Sequence, residues 1–142
     1  MNGRILSVDP GEKNIGIAIS DPSATIASPL CVIKHISREK DADLIIKIAL
    51  ENNIQKIIIG QAMNDDGLPS FTGNKSKRLA DVIITNSNIP VLLWDESNST
   101  NEAIRIRVQN GASKKRRRGH LDDIAAAVIL QSFLDSDNLS SL

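Results

Sequence analysis

Two apolar runs, Arg4 to Val8 and Ile15 to Ile19, are separated only by Asp9-Pro10-Gly11-Glu12-Lys13-Asn14, and this short gap restricts the fold more than any other feature. A connection of that length joins antiparallel neighbours, whereas parallel strands need a crossover of a dozen or more residues. The second run alternates Ile15, Ile17 and Ile19 with Gly16, Ala18 and Ser20, the period of two that marks a strand. The chain therefore opens with a hairpin, and a purely parallel sheet is disfavoured.

A third strand is expected within Ile26 to His35, then a helix from about Arg38 to Asn53 in which Ala42, Ile45, Ile46 and Ala49 share a face. Ile57, Ile58 and Ile59 run unbroken into Gly60, the pattern of a fully buried central strand. From Gln61 to Asn74 the chain turns to Asn, Asp, Gly, Pro and Ser, a loop well beyond the usual connection of about 4–6 residues. A helix over Lys75 to about Ser87 and a strand over Val91 to Trp94 follow, the latter closing at Asp95-Glu96. Ser99-Thr100-Asn101-Glu102 matches a capping box, so another helix is expected from near Thr100 to Gly111. The basic run Lys114, Lys115, Arg116, Arg117, Arg118 fills the next loop. A last helix, from about Leu121 to Leu134, carries Leu121, Ile124, Ala125, Val128 and Ile129 on one stripe, before a polar tail after Asp135. The order β-β-β-α-β-α-β-α-α predicts an α/β fold: a mixed five-stranded sheet, its first three strands antiparallel, flanked by helices. A length of 142 residues fits one domain, placed at 1–136, with 137–142 as the tail.

Composition narrows the chemistry. Apolar residues make up 41% and charged residues 24%, enough to bury a core and unlike a disordered chain. A lone Cys31 excludes an internal disulfide, and with only His35 and His120 no Cys/His zinc cage can form, so any metal is held by oxygen. No stretch reaches the roughly 18 apolar residues of a membrane span, and cytoplasmic residence without a membrane partner is expected. Lys plus Arg equals Asp plus Glu at 17 each, so nucleic-acid binding has to rest on local charge.

Acids stand where elements end: Asp9 after the first strand, Asp95-Glu96 after the last, and Asp122-Asp123 at the opening of the final helix. Each has a plain reading, as a turn residue before Pro-Gly, a solvated strand end, or a charge favoured by the helix dipole. Gathered at one sheet edge they repel one another unless cations neutralise them. Oxygen ligands suit hard divalent ions, Mg²⁺ or Mn²⁺. Two such ions about 4 Å apart promote phosphodiester hydrolysis.

The segment Ile5-Leu6-Ser7-Val8-Asp9-Pro10-Gly11-Glu12-Lys13-Asn14-Ile15-Gly16-Ile17-Ala18-Ile19-Ser20-Asp21 resembles the opening of the YqgF (RuvX) family of RNase H-like nucleases. Ile57 to Gly60 with its Asp-Gly loop, Asp95-Glu96, and Asp122-Asp123-Ile124-Ala125-Ala126-Ala127-Val128-Ile129-Leu130-Gln131 are similar to that family's later motifs in the same order, over nearly the whole chain. The resemblance implies an RNase H-like fold and a metal-dependent nuclease acting on branched DNA or on the 5′ end of a 16S ribosomal RNA precursor. It assigns Asp9, Glu96 and Asp122 as catalytic metal ligands for two Mg²⁺ or Mn²⁺ ions, Asp9 bridging both, with Asp95 and Asp123 as substitutes. Two departures touch the substrate side. Ala62 stands where the family usually has Pro, and Ser97 where an Arg commonly follows the acidic pair, which removes a phosphate contact.

The basic run 114–118 is positioned to clamp phosphates beside the Asp122 helix, or is a solvated loop. Lys75, Lys77 and Arg78 read as a solvated helix start, His120 as a loop residue, Glu102 as a cap, Cys31 as an inert core residue and Trp94 as a buried strand end. The rival readings are a non-catalytic nucleic-acid or ribosome-assembly module of the same fold, and a sugar-kinase or actin-like ATPase. The latter binds nucleotide between two domains, and this chain supplies one. Both a monomer and a homodimer are compatible with the sequence.

Overall fold

The computed structural model describes residues 3–96 and 121–140, with backbone alone for Leu121, Asp122 and 138–140. The capping box at 99–102, the basic run at 114–118, Ser97 and His120 lie outside the described residues. Five strands, β1 (Arg4–Pro10), β2 (Asn14–Ser20), β3 (Ala27–Lys34), β4 (Ile54–Gln61) and β5 (Val91–Asp95), form one sheet in the order β3-β2-β1-β4-β5. β1–β2 and β2–β3 pair antiparallel, while β1–β4 and β4–β5 pair parallel, so the expected mixed sheet is present. Ile57, Ile58 and Ile59 are fully buried as expected, but β1 occupies the middle of the sheet and β4 lies beside it.

Strand alternation divides the core in two. Leu6 and Val8 of β1, Ile57 and Ile59 of β4, and their neighbours pack with α1 (Arg38–Glu51) and α2 (Phe71–Asn86). Ile5, Ala18 and Ile58 face the other way, onto α3 (Leu121–Ser140). No helix among the described residues is long and apolar enough to cross a membrane.

Three boundaries differ from expectation. α2 begins at Phe71, inside the expected loop, because the Ser70 side chain caps it by accepting from the Gly73 N–H at 3.1 Å. Gly73 is needed there, since a Cβ would stand 2.1 Å from the Ala62 carbonyl oxygen. α1 stops at Glu51, just short of Asn53. α3 runs on to Ser140, so the polar residues after Asp135 continue the helix. Its buried surface also exceeds the expected stripe. Asp123, Ala126, Ala127 and Leu130 are buried beside Ile124, Val128 and Ile129, while Ala125 is only partly covered.

Candidate active site

Parallel pairing of β1, β4 and β5 brings their C-terminal ends to one edge. Val8 pairs with Ile59, Gly60 with Trp94 and Gln61 with Asp95. Asp9 shares the phase of Ile5 and Ser7, which faces α3. At Gly60 an added Cβ would meet Glu96 Oε1 at 3.0 Å and Ile129 Cδ1 at 2.8 Å, so the Glu96 carboxyl leans over the end of β4 on that same side. Asp9 and Glu96 line one cavity of about 710 Å³. Asp95, the other member of the pair, takes the opposite phase to Trp94 and is not among the lining residues.

The direction of α3 brings the third acidic position to this edge. The Ser7 hydroxyl donates to the Ala126 carbonyl at 2.6 Å, and the Gln131 side chain holds Ala27 N–H and the Thr25 carbonyl, each at 2.9 Å, at the far end of the sheet. The helix thus starts where Asp9 and Glu96 end their strands. Asp123 is 2% exposed, one turn before Ala126 and Ala127 on the face turned to the sheet. Of Asp122 the structure gives the backbone, in the first turn of the helix. Among the described residues no group of three or more His, Cys, Asp or Glu side chains is gathered closely enough to hold a metal ion. Asp9 and Glu96 line one cavity and the first turn of α3 carries Asp122 and Asp123 at the same sheet edge; carboxylate oxygens are the donors that hard cations take.

The remaining walls come from the β1–β2 turn, the β3–α1 connection and the start of α2. Gly11 closes the first of these with its N–H donating to the Asn14 carbonyl at 3.0 Å, and a Cβ there would approach that same oxygen to 2.4 Å. The Ala62 carbonyl accepts from the Ser70 N–H at 2.9 Å and the Ser70 hydroxyl at 3.1 Å, anchoring α2 to β4. These contacts use a carbonyl, which Pro and Ala share. Sequence reasoning missed a histidine here. His35 Nδ1 contacts the carboxylate of Asp41, which is 4% exposed and also accepts from the Ile36 N–H at 3.0 Å; both residues line the cavity. The signal was an acid on the apolar face of α1, spaced four residues from Ile45.

Trp94 is a packing residue, as the sequence indicated. Its ring meets Phe133 edge-on at 5.2 Å between centroids and its Nε1 donates to Ser132 at 2.8 Å. Lys77 pairs with Asp81 on the exposed face of α2, and Cys31 packs against the core.

Comparison with known proteins decides the family. The model for RuvX, described as Holliday junction resolvase, matches residues 3–136. The chain belongs to the RuvX family. RuvX relatives similar along their length include proteins named "Putative pre-16S rRNA nuclease" from Thermoanaerobacter pseudethanolicus, 40% identical over 134 residues covering 94% of this chain and 96% of that one, and from Desulforamulus reducens, 35% identical over 133 residues covering 94% and 97%. Among solved structures, RuvC of T. thermophilus in complex with Holliday junction substrate superposes with a TM-score of 0.69 at 12% identity, covering 98% of this chain and 97% of that one. The fowlpox virus resolvase in complex with Holliday junction DNA gives 0.57 at 18% identity, covering 94% and 97%. These superpositions establish that this RuvX chain has the RNase H-like fold.

Proposed function

We propose that the chain is a divalent-metal-dependent nuclease hydrolysing phosphodiester bonds in structured nucleic acid, either a ribosomal RNA precursor or branched DNA. The observation that carries this reading is the convergence of Asp9 and Glu96 on one cavity at the sheet edge where α3 begins. The names of the RuvX relatives support it. Asp9, Glu96 and Asp122 would hold the two ions. Asp123 is the substitute at the helix, and Glu96 is preferred to Asp95 because it lines the cavity. When bound, Mg²⁺ or Mn²⁺ supplies Lewis acidity and activates a water at neutral pH. The chain's own residues fix the acids: β1 and β5 present Asp9 and Glu96, and the Ser7–Ala126 bond sets the height of α3 against them. Fixed acids need no rearrangement when substrate arrives.

Asp9→Asn tests the reading on a four-way junction and on a precursor ribosomal RNA with Mg²⁺ or Mn²⁺. Cleavage is expected to fall at least about a hundredfold, with the circular dichroism spectrum unchanged. A wild type that binds both substrates and cuts neither makes the chain a non-catalytic module instead.

A further inference from the structure

The cavity extends well beyond its carboxylates. At about 30 Å³ per water, a hydrated cation pair fills only part of its roughly 710 Å³. The far wall carries His35 at the end of β3, with Arg38 of α1 and Lys75 of α2 lining the same space. His35 is 43% exposed at its side chain, and its Nδ1 is committed to the buried Asp41 carboxylate. That carboxylate is itself fixed by the Ile36 N–H, and the His35 N–H donates to the Lys13 carbonyl at 2.9 Å, so both the ring and its backbone are anchored. The nitrogen left for a ligand is Nε2.

We infer that His35, held by Asp41 and sharing the cavity with Arg38 and Lys75, forms a phosphate-binding subsite that takes the nucleic-acid backbone next to the bond being cut. This rests on the nuclease reading for its substrate. In the imidazolium form both ring nitrogens donate, Nδ1 to Asp41 and Nε2 to a phosphate oxygen; the neutral ring keeps its hydrogen on Nδ1 and has none to offer at Nε2. Arg38 and Glu39 share the wall with Asp41 on α1, Lys75 faces them from α2, and Asp9, Glu12 and Glu96 complete the charged lining. Cations held at Asp9 and Glu96 would offset the acids, leaving the far wall as the place where a second phosphate meets net positive charge.

The test compares wild type with His35→Gln, His35→Arg and Asp41→Asn, using a fluorescent oligonucleotide substrate. His35→Gln is expected to raise KM about tenfold with kcat within about twofold. His35→Arg, with a permanent charge, should restore KM. A KM for His35→Gln within about twofold of wild type, or a change in kcat or melting temperature alone, overturns the subsite. Both His35 variants leave Asp41 in place, so the test survives a failure of Asp41→Asn to fold. If wild type cuts nothing, the nuclease reading falls, and anisotropy binding of the same oligonucleotide with Ca²⁺ still decides. Affinity about tenfold lower in His35→Gln than in wild type upholds the subsite, and equal affinities sink it.

Discussion

Gly60 is the residue on which the geometry of the candidate site turns. Its missing Cβ is the space that the Glu96 carboxyl and the Ile129 methyl occupy. Gly60→Ala is expected to displace both, and because each is the end of a flexible side chain the fold should lose only about 1–3 kcal/mol. Cleavage should fall further than stability, by more than about tenfold, which a melting curve and a rate on the same preparation will show. Asp9 and the Asp95-Glu96 pair were readable at strand ends because strand ends and acids are both local signals, whereas the preference for Glu96 came from the family resemblance. The His35–Asp41 pair was not. It joins the end of one strand to the first turn of the following helix, and only the folded connection brings the two side chains into contact.

Elements followed the sequence where the periodicity of apolar residues was regular, as in β2 and α1, and departed from it where tertiary contacts took over. α3 defeated its expected stripe because the sheet, Trp94 and the β2–β3 turn cover it from several directions, burying Gln131 and Ser132 as well as apolar side chains. That turn is an element with its own chemistry. Ala24 sits at φ 56°, a left-handed conformation that costs a residue with a Cβ. Burial works to raise the Asp21 carboxyl, but hydrogen bonds from the Ile26 N–H, the Ser23 hydroxyl and the Thr25 N–H outweigh it and hold the group below its ordinary value of 3.8. A lowered carboxyl stabilises the fold fully above that ordinary value and ceases to do so as the pH falls through the lower folded one. Asp21→Ala should therefore cost about 1 kcal/mol at neutral pH. Urea midpoints measured at neutral and strongly acidic pH should show the gap to wild type closing with acidification.

At the scale of the molecule, a chain with no net charge has to attract a polyanion through local features. Replacing Lys114, Lys115, Arg116, Arg117 and Arg118 by Ser is expected to weaken nucleic-acid binding and to lower the slope of log affinity against log salt by up to about 4. A titration from low to high salt measures that slope, and an unchanged value removes the run from the interface. The sheet order escaped the sequence because pairing partners are chosen over long separations, and nothing local says that β1 rather than β4 takes the middle. One such separation has a consequence during synthesis. Ser7 and Ala126 are 119 positions apart, so a nascent chain on the ribosome carries its first strand long before the helix that covers it. Until α3 has left the exit tunnel, the polypeptide lacks the helix that carries Asp122 and Asp123 to the sheet edge where Asp9 and Glu96 stand.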